Sequence, residues 1–171
     1  MAKVMDIEGY KEEMRGMNVM RAGRRVAQHK AVMLLAVVEL IERGEIDCPF
    51  VPLTPSLERT FRRIWKERVG EGRGFNCQMC YPFYHLHTSS FWELVKLPGC
   101  VEDGGVTSMT ALKRRYAGAV LARELFDALQ KEWVRREVRE LLTDCYLPKS
   151  SGLSGGVGTA LMMLAAVLVV A

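Results

Sequence analysis

The chain is poor in the residues from which catalytic sites are built. Three of its 171 residues are histidine. Around them no Ser/His/Asp set, phosphate-cradling glycine loop or carboxylate pair for hydrolysis can be assembled. His85 and His87 also lack the residue pattern of an HNH nuclease, so no enzyme is read from the residues. Cysteine is scarce: Cys48, Cys77, Cys80, Cys100 and Cys145 are odd in number and irregular in spacing, which argues against a disulfide framework. With no signal peptide at the start, reduced thiols in a cytoplasm are expected. Acid is missing from one long stretch, between Glu13 and Glu39, and charge of either sign is missing after Lys149.

What is present suits one globular domain. Hydrophobic residues make up 49% and charged residues 26%, and the length is enough to bury a proper core. The net charge of +4 permits an anionic partner without requiring one. Its distribution says more. Arg21, Arg24, Arg25, His29 and Lys30 fall in the acid-free stretch; Arg59, Arg62, Arg63, Lys66 and Arg68 form a second cluster, and Lys113, Arg114 and Arg115 a third. A single charge run is more often a solvated face than a binding surface. Three in one small domain favour a surface for an anion.

The order of elements follows from spacing. Residues 1–20 predict a short leading helix. Ala27 to Arg43, "AQHKAVMLLAVVELIER", is apolar almost all round and is stopped by Gly44, the pattern of a central buried helix. His29 and Lys30 fall in its first turn, where the dipole disfavours a cation unless something negative binds beside it. Thr54 and Pro55 read as N-cap and first position of a helix running to about Val69, with Leu57, Phe61, Ile64 and Trp65 on one face. Gly70, Gly72 and Gly74 break it. Phe75 to Leu86 and Phe91 to Leu97 read as two strands of an antiparallel hairpin. Two or three helices follow, with "TALKRRYAGAVL" one candidate and Ala122 to Tyr146 carrying helical spacing.

Cys77-x-x-Cys80 followed by His85 and His87 places four soft ligands within eleven residues, so zinc must be weighed. A lone CxxC without a second pair is a weak signal, and buried thiols beside a hairpin are the simpler account. The tail after Lys149 is Gly/Ser-rich and then apolar from Ala160 to Ala171, shorter than the roughly 20 residues a membrane span needs. Linker, weak anchor, docking peptide and truncated segment all remain open for 149–171, and membrane contact is not expected.

The aromatic stretch "YPFYHL…FWEL" packs at least some rings on the core. Pro82, however, has no N–H and biases Tyr81 to an extended conformation, which predicts an edge or lip with ring faces open to a ligand.

The order "HK…MLLAVVELIERGEI", "F…IW", "YPFYHL…FWEL" and "ARELFDALQ…REVRELLTDCYL", over roughly Val19 to Leu147, resembles the sulfur-binding domain of McrA-type HNH restriction endonucleases. The resemblance implies recognition of phosphorothioate-modified double-stranded DNA, in which sulfur replaces a non-bridging phosphate oxygen. It implicates Tyr81, Pro82 and His85 in an apolar sulfur pocket, with His29 and Lys30 beside it. Sulfur is less strongly hydrated than oxygen, so a greasy pocket accepts it at lower cost. Lys30 stands where arginine is usual, His85 where a small residue is usual, and Ala31 where proline often follows; the bulkier His85 would narrow or close the pocket.

The expected protein is mainly α with a small antiparallel β-hairpin: a single compact helical DNA-binding domain over residues 1–148, followed by the tail. Arg24, Arg25, Arg62, Lys113 and Arg114 are the expected phosphate contacts. No metal, cofactor or catalytic residue is expected, and cleavage would need a separate HNH nuclease partner. The alternative is a zinc-stabilised protein-interaction domain without nucleic-acid binding.

Overall fold

The structure is a computed structural model. It describes residues 6–19, 21–22, 25–26, 28–70, 76–100 and 105–147. Arg24 and the tail 149–171 lie outside the described residues, as does the side chain of Arg25, whose backbone pairs with Ala22 in a two-stranded ribbon, β1 (Arg21–Ala22) and β2 (Arg25–Val26).

Among the described residues, seven α-helices and a three-stranded antiparallel sheet accompany it, so the mainly helical class expected from the sequence is the one observed. The leading helix, α1 (Ile7–Arg15), starts at Asp6, whose carboxylate accepts from Gly9 N at 2.9 Å. The central helix is α2 (His29–Glu42), and from Lys30 to Ile41 every residue except Glu39 is buried. An all-round apolar helix has no face to give to water, so its neighbours enclose it. Those neighbours are α3 (Pro55–Arg68), α4 (Cys80–His85) and α7 (Glu132–Tyr146). Thr54 caps α3 as expected, its hydroxyl accepting from Leu57 N at 3.2 Å. Tyr146 ties α7 to the end of α1 by donating toward the Met14 and Arg15 carbonyls at 2.6 and 2.8 Å.

The β structure differs from expectation in its placement. Residues 80–85 are helical, and β4 (Trp92–Lys96) pairs with β5 (Tyr116–Leu121) rather than with the aromatic stretch before it. The other neighbour of β5 is β3 (Phe50–Pro52), giving the order β3-β5-β4. The proline signal has a simple physical answer. Pro82 is the third residue of α4, and the first four N–H groups of a helix have no intrahelical partner, so a missing N–H there costs nothing. Buried Met79, Pro82, Phe83 and Leu86 repeat at helical spacing, the pattern that the β-propensity of the rings masks.

"TALKRRYAGAVL" is half helix and half strand. The helix α5 (Met109–Arg115) ends where Tyr116 turns extended, and β5 becomes the central strand of the sheet. Small residues are required there: a Cβ on Gly118 would lie 2.4 Å from the Val51 carbonyl oxygen and 2.7 Å from the Phe50 ring. The helical spacing from Ala122 to Tyr146 resolves into α6 (Arg123–Leu129) and α7, separated by Gln130 and Lys131. Among the described residues no helix is long and apolar enough to cross a membrane.

Candidate nucleic-acid interface

The first turn of α2 meets the end of α4 and the 3-10 turn that follows it, Leu86–Thr88. Gln28 makes no side-chain cap, and no acid lies in the first turn, so the positive end of the α2 dipole is uncompensated. Lys30 sits there at 8% exposure. Its ammonium donates to Thr88 Oγ1 at 3.4 Å, a long contact, and no carboxylate pairs with it among the described residues. Burial holds its pKa below the ordinary lysine value of 10.5.

Thr88 in turn donates to the His85 carbonyl at 3.0 Å, which ties the turn to the last residue of α4. His85 is exposed, yet its pKa is depressed, first by partial desolvation and then by the neighbouring charges of Lys30 and His87. Tyr81 lies one helical turn before His85 and exposes 38% of its surface, an unusual figure for a large ring in this fold. Pro82 is buried between them. The structure therefore brings His85 close to Lys30, and it carries Tyr81 and Pro82 on the same helix, α4, rather than on the strand expected.

His29 is placed differently. Its ring packs at 4.3 Å from the Trp65 ring of α3, and its Nε2 donates to the Asn76 carbonyl at 2.6 Å. Burial lowers its pKa from 6.5, and the Asn76 carbonyl pulls it partly back. His29 thus joins α2 to α3 and to the loop preceding α4, one residue from Lys30 but turned to a different neighbour.

The expected phosphate contacts divide as well. Arg62 on α3 and Arg114 on α5 are exposed, and neither has an ion pair among the described residues. Lys113 is also exposed but donates to Glu58 at 2.5 Å, which ties α5 to α3. Arg63, a member of the second cluster, is held by Glu39 and by Glu67, the latter at 2.8 Å. Part of the basic surface is therefore neutralised internally, which could not be seen from charge runs alone.

The CxxC pair does not build a metal site among the described residues. Cys77 is exposed while Cys80 begins α4 and is buried, and burial raises the pKa of both thiols. No three His, Cys, Asp or Glu side chains come together there to hold a metal. Thr88 is a contributor that sequence reasoning missed. Its only signal was its place in the polar step His87-Thr88-Ser89-Ser90.

No family model and no curated protein sequence matches this chain. Among solved structures it is similar to the sulfur-binding domain of SprMcrA complexed with phosphorothioated DNA. The TM-score is 0.61 with 22% sequence identity, covering 85% of this chain and 88% of that one. The likeness establishes the fold, over most of both chains.

Proposed function

We propose that this chain is a DNA-reading module that recognises phosphorothioate-modified double-stranded DNA. It works in a restriction or modification-sensing system, without a nuclease site of its own and alongside a separate HNH nuclease. The observation that carries this function is Lys30: a buried ammonium, lacking a carboxylate partner among the described residues, in the uncapped first turn of a 14-residue helix. In the free protein that cation is disfavoured twice, by desolvation and by the dipole. An anion bound beside it relieves both costs. His85 lies beside the same point and Tyr81 exposes its ring one helical turn before it, which suits an anion with one softer, less hydrated atom. The fold is that of a domain solved with phosphorothioated DNA, which supports the same assignment.

A gel shift with matched modified and unmodified duplexes tests it. The modified duplex should bind on the order of tenfold more tightly or better, the scale of one good local contact. Equal affinities would remove the sulfur pocket, and no binding to either duplex would remove the DNA-reading function.

A further inference from the structure

A cavity of about 240 Å³ lies where α3 faces the starts of α4 and α5. Four of its lining residues carry sulfur: Cys77, Met79, Cys80 and Met109, with Glu58 and Arg62 beside them. Cys77, Met79 and Cys80 come from the segment that leads into α4. Met109 is the first residue of α5, which packs on α4. Met79 and Cys80 are buried, Met109 is half-buried and Cys77 is exposed. Sulfur-bearing residues therefore run from the interior to the surface, which leaves an entry path from solvent.

Two thiols alone do not make a metal site, and among the described residues no carboxylate or imidazole joins them as a third ligand. Glu58 is already held by Lys113. The two thioethers change which ion fits. Zinc takes thiolate, imidazole or carboxylate, and magnesium and calcium take oxygen. Thiolate and thioether together are the donors that suit Cu(I). We infer that Cys77, Cys80 and the thioethers of Met79 and Met109 form a site for one Cu(I) ion. This inference is independent of the DNA-reading function.

The charges balance. Burial raises the pKa of both thiols, so without an ion they hold their protons. Arg62 counters this at Cys77, and the backbone N–H groups of Tyr81 and Cys80 counter it at the Cys80 sulfur. As the two Cu–S bonds form, both protons leave to solvent and copper keeps its oxidation state. One net negative charge then remains on the site, and Arg62 lies beside it to compensate.

The test titrates the full chain, reduced and anaerobic, with Cu(I) against a chromogenic Cu(I) chelator, and separately with Zn(II). Wild type should hold one Cu(I) more tightly than Zn(II), and its thermal midpoint should rise on loading. Cys77→Ser changes an exposed residue. It should lower Cu(I) affinity at least about a hundredfold, since even partners that do not touch a metal contribute ~10–100-fold. Met109→Leu keeps the volume and both thiols, and should lower Cu(I) affinity about tenfold without changing Zn(II) binding. The site is overturned if Cys77→Ser keeps its Cu(I) affinity while Cys48→Ser or Cys145→Ser loses it. Zn(II) held as tightly as Cu(I), or a Met109→Leu variant that binds Cu(I) like wild type, would also overturn it.

Discussion

Lys30 and Thr88 stand 58 positions apart in the chain, and the 3.4 Å contact between them joins the central helix to the turn after α4. It is a weak hydrogen bond for a buried ammonium, whose other donors have no anionic partner among the described residues. A position built for stability alone would carry a carboxylate or an apolar side chain there.

Lys30→Met keeps the length of the side chain and removes the charge. Its folded state should be more stable than wild type by about 1 kcal/mol or more, because a desolvated cation is lost without creating a cavity. The same variant should bind modified and unmodified duplexes more weakly. Urea denaturation and a gel shift read the two effects separately. A variant that loses stability and keeps its affinity would show Lys30 to be a structural residue.

Tyr81 and His85 should separate sulfur preference from charge. Tyr81→Ala removes an exposed ring and should erase most of the difference between the two duplexes, roughly tenfold to a hundredfold, with little change in the weaker affinity. His85→Ala removes a bulky group beside Lys30 and should hold or raise the preference. Competition binding gives the ratio directly. An unchanged ratio in Tyr81→Ala would make that ring a mere surface residue.

Acid should weaken the fold. The folded pKa values of His29 and His85 both lie below the ordinary 6.5, chiefly through desolvation. As pH falls through 6.5 the unfolded chain takes up protons before the folded one does. Stability is therefore full above about pH 6.5 and declines as pH drops toward the depressed folded values. Denaturation midpoints at pH 8, 6.5 and 5.5 should fall in that order, and His29→Gln should flatten the decline. A bound phosphate would favour the charged form of His85, so DNA affinity should rise over the same pH interval. A midpoint that does not move between pH 8 and 5.5 would mean that neither imidazole is desolvated.

Salt dependence should distinguish free basic residues from internally paired ones. Each phosphate contact adds about 0.9 to the slope of log affinity against log salt. Arg62→Ala and Arg114→Ala should each lower the slope by about that amount if those exposed guanidinium groups meet phosphates. Lys113→Ala should lower it less, because Glu58 already holds that ammonium. Equal reductions from all three would mean that the Lys113–Glu58 pair opens on DNA.

The sequence by itself determined the helical frame. The all-round apolar run of α2, the Thr54–Pro55 start of α3 and the spacing through α7 are local patterns, and local physics is enough to form them. It also marked Tyr81 and Pro82 as a lip and His29 and Lys30 in the first turn of the central helix, while the family resemblance added His85. What only the tertiary structure decided is how they meet. Tyr81 and His85 share a face because α4 is a helix, and α4 is a helix because Met79, Phe83 and Leu86 find a core to bury in on that side. The β structure was equally non-local: β5 has the small residues of a good helix, but it fills the centre of a sheet whose partners begin 66 residues before it and 24 before it, at Phe50 and Trp92. Propensity cannot report such pairings, since their free energy comes from neighbours that are distant in the chain. The same holds for charge: the sequence showed three basic clusters, and only the fold showed which of the described members carboxylates already hold.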